Sequence, residues 1–475
     1  MNFETTIGLE VHIELKTNSK AYSPAPVEYG AEPNTNTNVI DWGYPGVLPQ
    51  VNKGALEYGM RAALALNCEI RKDLHFDRKN YFYPDNPKAY QITQSDTPIA
   101  HDGWLEIELE DGFENMGAQL IKDVELEDGT IFRVPIERAH IEDDAGKNTH
   151  NPDGYSYVDL NRQGTPLIEI VSKPDIASPD EAYAYLTRLR QIIQFTGVSD
   201  VKMEEGSMRA DVNLSVREVG AEKFGTRTEM KNLNSFKAIA RAIEGERERQ
   251  IELIEEGKVV TQETRRWDDN KEYSYAMRSK EDAKDYRYFP DPDLPPIHIS
   301  DAWIEKIEAE QPELREVKQA RYQEEYGLPA YDAGILTESR HLAGLFEETA
   351  AIYGNAKKTA NWFMGEVLRL TKDKAMDPEQ VSFSPKHLAD LLVMVEKSEV
   401  SPQNAKKVFE KVFEEDIDPV VYIEEHGLKI VEDTGLLEET INRILDANPG
   451  PLSELLGGKD KVMGFFVGQI MKEMK

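Results

Sequence analysis

The feature that most constrains the fold is a set of short segments in which apolar and polar residues alternate. The alternation is clearest in three segments, "TIGLEVHIEL", "PLIEIVS" and "SMRADVNLSV". A period of two is typical of β-strands that bury one face and leave the other polar. We therefore expect a largely antiparallel sheet in the first part of the chain.

Helical patterns lie between these strand segments. The clearest are "NKGALEYGMRAALAL", "PDEAYAYLTRLRQIIQF" and "SFKAIARAIEGERERQIELIEEG". The second follows Ser178, and the order Ser, Pro, Asp, Glu predicts a helix with Ser178 as its N-cap and Pro179 at its first position. Strands mixed with a few helices predict the α+β fold class.

A proline cluster, "YFPDPDLPP", divides the chain at residues 288–296. A length of 475 residues exceeds what one hydrophobic core holds and suggests about three domains. After the cluster the pattern is almost wholly helical, and it closes with a glycine pair, lysines and an amphipathic helix. We predict a sheet-bearing domain at 1–293, an all-helical domain at 294–404 and a small helical tail domain at 405–475.

Charge and cysteine content limit the classes of function. The net charge is −32, so the surface as a whole does not attract nucleic acid, and any RNA contact needs local basic patches. Cys68 is the only cysteine, which excludes an internal disulfide or a multi-cysteine zinc site and fits a reducing cytosol. Its setting in "MRAALALNCEI" predicts a buried structural thiol rather than a nucleophile.

No targeting or membrane segment is visible in the sequence. The start, "MNFETTIGLEVHIEL", is acidic and enters a strand pattern directly, unlike a signal peptide. Apolar runs such as "MGFFVGQIM" are far shorter than the roughly 20 residues of a membrane span. We expect a cytoplasmic protein without a membrane partner.

Two strand segments carry candidate metal and phosphate ligands. In "GLEVHIEL" the period of two places Glu10, His12 and Glu14 on one face, where oxygen-rich ligands suit Mg²⁺ or Mn²⁺. In "SMRADVNLSV" the outward face carries Arg209, Asp211 and Asn213, which could share a cation and a phosphate. The alternative for both segments is a solvated polar face.

Two other segments contain carboxylates that are further candidates for metal binding. Glu169 lies inside the apolar run "TPLIEIVSKPD", and a carboxylate buried there costs several kcal/mol unless it is paired or metal-bound. The alternative is a salt-bridged structural glutamate. The run "AHIEDDAGKN" is interpreted as a cluster around a turn at Gly146, which needs a cation or lysine between its acids; it contains His140, Glu142, Asp143, Asp144 and Lys147.

Several catalytic motifs are missing from the sequence. Ile141 stands where a P-loop needs its first glycine, and G-x-S-x-G, H-E-x-x-H and G-x-G-x-x-G do not occur. What remains is a predicted cleft that is rich in carboxylates, could bind a metal ion and has Arg and Lys nearby. That set of groups suits phosphoryl transfer without a Walker motif, and a metal-dependent hydrolase is the weaker alternative.

The stretch "FDRKNYFYPDNPKAYQITQ", residues 76–94, threads aromatic rings with Arg and Lys. Pro84 and Pro87 exclude a regular helix or a central strand, so we expect a rigid loop that holds a ligand. Unpaired bases stack on aromatic rings while Arg or Lys hold neighbouring phosphates. An aromatic minicore under the loop is the alternative for Phe76 and Phe82.

Taken together, the motifs resemble a known family. "IGLEVHIEL", "FDRKNYFYPDNPKAYQITQ", "HIEDDAGK", "VDLNRQGTPLIEIVSKPD", "VKMEEGSMRADVN", "EMKNLNSF", "QETRRWD" and "DYRYFPDPDLPP" resemble, in order, the B subunit of the bacterial glutamyl/aspartyl-tRNA amidotransferase. The resemblance covers nearly the whole chain. It implies a cradle-like first domain that carries the kinase and amidation site.

The resemblance also implies an activity, cofactors and partners. ATP and Mg²⁺ would convert the side-chain carboxylate of Glu or Asp, misacylated on tRNA-Gln or tRNA-Asn, to an acyl phosphate, which ammonia then displaces. A separate amidase (A) subunit would supply ammonia from glutamine, and a small C subunit would complete the assembly. The alternative within the same complex is a non-catalytic tRNA-binding scaffold. No zinc is expected, because one cysteine cannot form the zinc knuckle of some members.

Carried over residue by residue, the resemblance assigns roles. The predicted metal ligands are Glu10, His12, Glu142, Asp143 and Asp211. The family usually shows Glu-Glu-Asp where this chain has Glu-Asp-Asp, which shortens the reach of Asp143 by one methylene. The predicted catalytic residues are Glu169, Lys88, Glu205 and Arg209, and the predicted ATP or phosphate ligands are Lys88, Glu204, Arg209, Asn213 and Lys231.

The predicted tRNA contacts fall in two places. Tyr81 and Lys79 belong to the aromatic stretch, which the resemblance puts beside the cleft for the aminoacylated 3′ end. Lys459, Lys461 and Lys472 belong to the tail, which would reach the body of the tRNA. They would supply the local basic patch that RNA binding needs on a chain with a negative net charge. The family normally continues beyond this helix, so we expect weaker RNA binding from a chain that stops at Lys475.

Overall fold

The computed structural model describes residues 2–110, 121–125, 129–279, 285–430 and 434–473. The chain divides into two compact units, 1–318 and 319–475. The first unit contains a large, mainly antiparallel sheet with helices, and the second is helical, which confirms the predicted α+β class. The three-domain division stays a prediction, and a helix, Pro402–Glu415, spans its proposed boundary at 404/405.

Seventeen strands are described in the first unit. They are β1 Phe3–Glu14, β2 Glu69–Ile70, β3 Asp73–Leu74, β4 Asp77–Asn80, β5 Tyr90–Thr93, β6 Ala100–Glu110, β7 Ile121–Glu125, β8 Gly129–Asp143, β9 Lys147–His150, β10 Ser156–Asp159, β11 Pro166–Ser172, β12 Met208–Glu218, β13 Thr228–Lys231, β14 Glu263–Asp268, β15 Tyr273–Ser279, β16 Phe289–Pro290 and β17 Ile297–His298.

The main sheet follows the order β15-β14-β13-β12-β1-β11-β8-β6-β2, with β7 paired to β8. Among these described strands only β13 and β14 pair in parallel; the other pairs are antiparallel. The predicted strands correspond to β1, β11 and β12, which lie side by side with β1 in the middle. From Thr5 onward the burial along β1 alternates, because the odd-numbered side chains enter the core and the even-numbered ones face away.

Three helices cover the core face of this sheet. They are α1 Lys53–Ala65, α2 Pro179–Thr196 and α3 Phe236–Glu255, as the helical patterns predict. Their apolar residues join those of β1, β11 and β12 in one buried cluster. The cap of α2 is also confirmed, since the Ser178 hydroxyl accepts from the backbone N–H of Glu181, and Gly197 ends the helix in the left-handed conformation.

The aromatic stretch 76–94 is a hairpin rather than the loop that we expected. Strands β4 and β5 pair, and β16 adds a third strand, so that only residues 81–89, with both prolines, remain in the connection. Each proline lacks a backbone N–H only at its own position, so the flanking residues can still form the hydrogen bonds of a β-hairpin. Phe76 is fully buried, as the minicore alternative requires, whereas Phe82 is exposed.

The remaining α-helices of the described residues follow β17. They are α4 Asp301–Ala309, α5 Arg315–Glu324, α6 Ala330–Leu336, α7 Arg340–Tyr353, α8 Ala356–Trp362, α9 Leu368–Asp373, α10 Pro385–Glu396, α11 Pro402–Glu415, α12 Pro419–Glu425, α13 Thr434–Ala447, α14 Pro449–Leu456 and α15 Met463–Glu473. The helices from α5 to α12 enclose a second apolar core. Within the described residues, no helix is both long and apolar enough to cross a membrane.

Candidate functional site

The register of three neighbouring strands brings together groups from distant parts of the sequence. His12 on β1 lies opposite Glu169 on β11, and Glu169 in turn lies opposite His140 on β8. Because directly opposite residues share one face of a sheet, these three side chains project together. Glu142 follows His140 by two positions on β8 and therefore joins the same face.

These side chains form a compact set of possible metal ligands. The Nε2 atom of His12 lies 3.4 Å from Glu142 Oε1 and 3.2 Å from Glu169 Oε2. One ligand atom from each of the three residues lies within 4.8 Å of the others. His140 Nε2 lies 3.2 Å from Glu169 Oε2, and its Nδ1 atom is buried with no hydrogen-bond partner among the described residues. An imidazole and two carboxylates at this spacing suit a divalent cation.

The two imidazoles and the two carboxylates shift one another's pKa because they lie so close together. Burial alone would lower the pKa of His12, but its hydrogen bonds with Glu142 and Glu169 outweigh burial and raise that pKa to about 10. The same two carboxylates raise the pKa of His140 to about 9 against the effect of burial. Conversely, the imidazoles lower the pKa of Glu142 and Glu169 although burial would raise it. A cation that takes the place of the imidazole protons would meet two ionised carboxylates.

This set lines a cavity of about 480 Å³ on the polar face of the sheet. Three cationic side chains, Lys79, Arg138 and Lys231, line the same cavity. The remaining lining residues are Glu10, Thr93, Gln94, Ser95, Asp211, Glu229, Thr264, Tyr286 and Tyr288. Carboxylates, an imidazole pair and cations in one pocket can bind a metal ion together with phosphate groups.

Four of the five predicted metal ligands line this cavity. They are Glu10, His12, Glu142 and Asp211. Glu10 Oε1 accepts a hydrogen bond of 2.8 Å from Asn213 Nδ2, and Asp211 Oδ2 lies 2.5 Å from Lys231 Nζ. Neither carboxylate belongs to the compact His12 set. Which of them binds a metal stays a prediction.

Asp143 lies apart from the other predicted metal ligands. Its carboxylate accepts from Lys88 Nζ at 2.5 Å and from the backbone N–H of Ile92 at 2.8 Å, and it does not line the cavity. The reason is that residues 140–143 belong to strand β8, in which adjacent residues face opposite sides, while Gly146 lies in the connection to β9, where the turn was expected. Lys88 is correspondingly nearly buried beside Asp143 and is absent from the cavity wall.

The other predicted catalytic and phosphate-binding residues are divided between the cavity and its surroundings. Glu169 and Lys231 line the cavity. Arg209 donates to Asp144 Oδ2 at 2.7 Å and lies outside the lining. Glu205 pairs with Lys202 at 2.9 Å, and Glu204 is exposed in the same turn, so neither reaches the cavity in this conformation.

The predicted tRNA contacts are also placed by the structure. Lys79 lines the cavity, and Tyr81 makes an edge-to-face contact with Tyr286, one of the lining residues. In the C-terminal unit Lys459, Lys461 and Lys472 are all exposed, and Lys459 lies 3.4 Å from Glu454. Their role in RNA binding stays a prediction.

Sequence reasoning did not select several residues that line the cavity. Arg138 is one such residue, and its signal was present, because Arg138, His140 and Glu142 alternate with apolar residues in the strand pattern of β8. Tyr286 and Tyr288 are two more, and they stand in the motif "DYRYFP". Thr264 and Glu229 reach the cavity only through the pairing of β13 with β14, which no local pattern indicates.

The fold and the cavity define an α+β protein whose polar sheet face carries acids, imidazoles and cations. Residues 5–305 match the family described as the GatB/GatE catalytic domain, and residues 344–475 match the family described as the GatB domain. The chain therefore belongs to the GatB family, as the sequence motifs predict.

Full-length relatives share one name, that of the B subunit of an aspartyl/glutamyl-tRNA(Asn/Gln) amidotransferase. The protein from Ligilactobacillus salivarius is 56% identical over 475 residues, which is 100% of this chain and 96% of the relative. Those from Agathobacter rectalis and Pediococcus pentosaceus are 55% and 54% identical over the same shares. The name describes these relatives as one component of a larger enzyme.

Proposed function

We propose that this chain is the catalytic subunit that activates and amidates Glu or Asp attached to tRNA-Gln or tRNA-Asn. The observation that carries the proposal is the convergence of His12, Glu142 and Glu169 in a cavity that Lys79, Arg138 and Lys231 also line. Family membership supports it independently, because the relatives are named for this amidotransferase. Which of the two aminoacyl-tRNAs is the natural substrate is left open by the relatives' shared name.

The donor set fits a divalent cation. Two carboxylate oxygens and one imidazole nitrogen, together with Glu10 and Asp211 in the same cavity, favour Mg²⁺ or Mn²⁺ over a thiolate-dependent zinc site. His12, Glu142 and Glu169 would hold the ion. When bound, it would neutralise the phosphate oxygens of ATP.

The cations of the cavity would serve the phosphoryl step. A substrate carboxylate is a poor electrophile because its negative charge repels ammonia. Its oxygen would attack the γ-phosphorus of ATP, ADP would leave, and the negative charge that develops on the phosphoryl group would be met by Lys79, Arg138 and Lys231. Lys231 is held for this role by Asp211 at 2.5 Å and Glu229 at 3.1 Å.

Amidation would follow at the same place. Ammonia would attack the activated acyl carbon, the bond to the phosphate oxygen would break, and the leaving phosphate would take up the proton that the nitrogen loses. The chain's only thiol is buried and its pKa is raised to about 12 by burial, so it is unsuited to glutamine hydrolysis. We propose that an amidase (A) subunit supplies ammonia and that a small C subunit completes the complex.

Two experiments test this function. The assembled complex should release ADP with ATP, Mg²⁺ and glutamyl-tRNA above the level seen with uncharged tRNA. His12→Gln and Glu169→Gln should reduce this release to background while the partner's glutamine hydrolysis continues. His298→Gln, which changes an exposed histidine outside the cavity, is the matched control and should behave as wild type.

Mn²⁺ titration of the isolated full chain, followed by electron paramagnetic resonance, gives a readout that is independent of turnover. We expect both cavity variants to weaken Mn²⁺ binding at least about tenfold and the control to leave it unchanged. No ADP release by the wild-type complex would favour a tRNA-binding scaffold. Release without tRNA would favour a metal-dependent hydrolase.

A further inference from the structure

The motif "DYRYFP" contributes a row of aromatic rings to the edge of the cavity. Tyr286 and Tyr288 line the cavity. Their ring centroids lie 6.1 Å apart in an edge-to-face arrangement, and Tyr81 makes a similar contact with Tyr286 at 6.3 Å. We call Tyr81, Tyr286 and Tyr288 the tyrosine row. None of the three belongs to the apolar core described for this unit.

The backbone that carries the row is fixed by specific bonds. Asn80 donates its backbone N–H to the Tyr286 carbonyl at 3.0 Å and its side-chain amide to the Arg287 carbonyl at 2.8 Å. Phe289 then pairs with Arg78 in the β4–β16 ladder. Arg287 is held at a φ of 47°, a left-handed conformation that is costly for a residue with a side chain. Such strain persists only where the surroundings enforce it, and it concentrates at ligand sites.

The outer ring of the row is available to a ligand. Tyr288 is 46% exposed although its ring lines the cavity, so burial does not account for its position. Lys79 Nζ lies 5.0 Å from the centre of the Tyr286 ring, which puts a cation beside the row. An aromatic ring can stack on the base of a nucleotide, and a lysine next to it can contact the phosphate of that nucleotide.

We propose that the tyrosine row is a subsite for a purine base, with Tyr288 as the stacking surface and Lys79 beside the attached phosphate. This inference rests on the proposed function, which brings two adenines to the cavity: that of ATP and that of the 3′-terminal adenosine of the tRNA. Both present the same flat ring and neighbouring phosphates. The cavity's metal and phosphate groups would hold the remainder of either ligand.

The experiment compares ligands that differ only in the base. One arm measures Kd for ATP and for inorganic tripolyphosphate with the full-length chain in Mg²⁺. The other arm measures Kd for an acceptor-stem RNA hairpin with and without its 3′-terminal adenosine. Each ligand is tested against wild type, Tyr288→Ala and Tyr288→Phe. Tyr331→Ala is the matched control, because Tyr331 is 73% exposed and lies in the other unit.

We expect Tyr288→Ala to raise the Kd of one adenine-bearing ligand about tenfold and to leave its base-free counterpart unchanged. The arm that responds identifies the source of the base. Tyr288→Phe and Tyr331→Ala should stay within about twofold of wild type, because the first keeps the ring and the second is remote. Unchanged binding in both arms, while wild type binds ATP and RNA normally, would overturn the subsite alone. Absence of any wild-type binding would overturn the proposed function and the subsite together.

Discussion

The carboxyl group of Glu181 gives a prediction whose size follows from the structure. Glu181 lies in the first turn of α2 with none of its surface exposed. Its Oε2 atom accepts from the backbone N–H of Ala177 at 2.7 Å, whereas Oε1 has no partner among the described residues. Burial raises the pKa of Glu181 from 4.5 to about 7, although the bonds from the backbone oppose this.

The sign and size of the effect follow by linkage. Between about pH 4.5 and 7 the folded chain keeps the Glu181 proton while the unfolded chain releases it, so the free energy of unfolding falls as pH rises and levels off above about 7. A pKa difference of about 2.5 corresponds to roughly 3 kcal/mol. Glu181→Gln keeps an acceptor for Ala177 and cannot ionise, so the variant should lose none of this stability.

Urea unfolding at a series of pH values measures the effect. The difference in unfolding free energy between Glu181→Gln and wild type should grow by roughly 3 kcal/mol from about pH 4.5 to about pH 8. Asp180→Asn, an exposed change in the same helical turn, is the control and should retain the wild-type pH dependence. If Glu181→Gln and wild type lose stability in parallel, the buried carboxyl does not titrate as argued.

Two further predictions concern the thiol and the tail. Cys68 is 5% exposed and burial raises its pKa to about 12, so a thiol reagent at about pH 8 should label it only when urea unfolds the chain; immediate labelling of the native protein would contradict this. Lys459→Glu with Lys461→Glu should weaken tRNA binding most at low salt and reduce the salt slope by about 2, because two phosphate contacts are lost; an unchanged slope in a filter-binding titration would exclude the tail as an RNA contact.

Much of the fold was predictable because its signals are local. Alternation identified β1, β11 and β12, and the order Ser, Pro, Asp, Glu identified the start of α2. The same alternation put Glu10 and His12 on the polar face, and the structure confirms that face. The acids before Gly146 were interpreted as one cluster, whereas Glu142 and Asp143 are neighbours on strand β8 and therefore face opposite sides of the sheet.

The sequence alone indicated which residue types form the site, but it did not indicate how they come together. Period-two alternation determines which side of a strand each residue faces, and this suffices to present His12, Glu169 and Glu142 as polar groups on strands. Only the tertiary structure decided that β11 lies between β1 and β8 and that Glu142 rather than Asp143 lines the cavity. It also decided that Tyr286 and Tyr288, which are distant in sequence, line the same cavity. The physical reason is that strand order and register are set by packing across the whole sheet, which no short segment specifies.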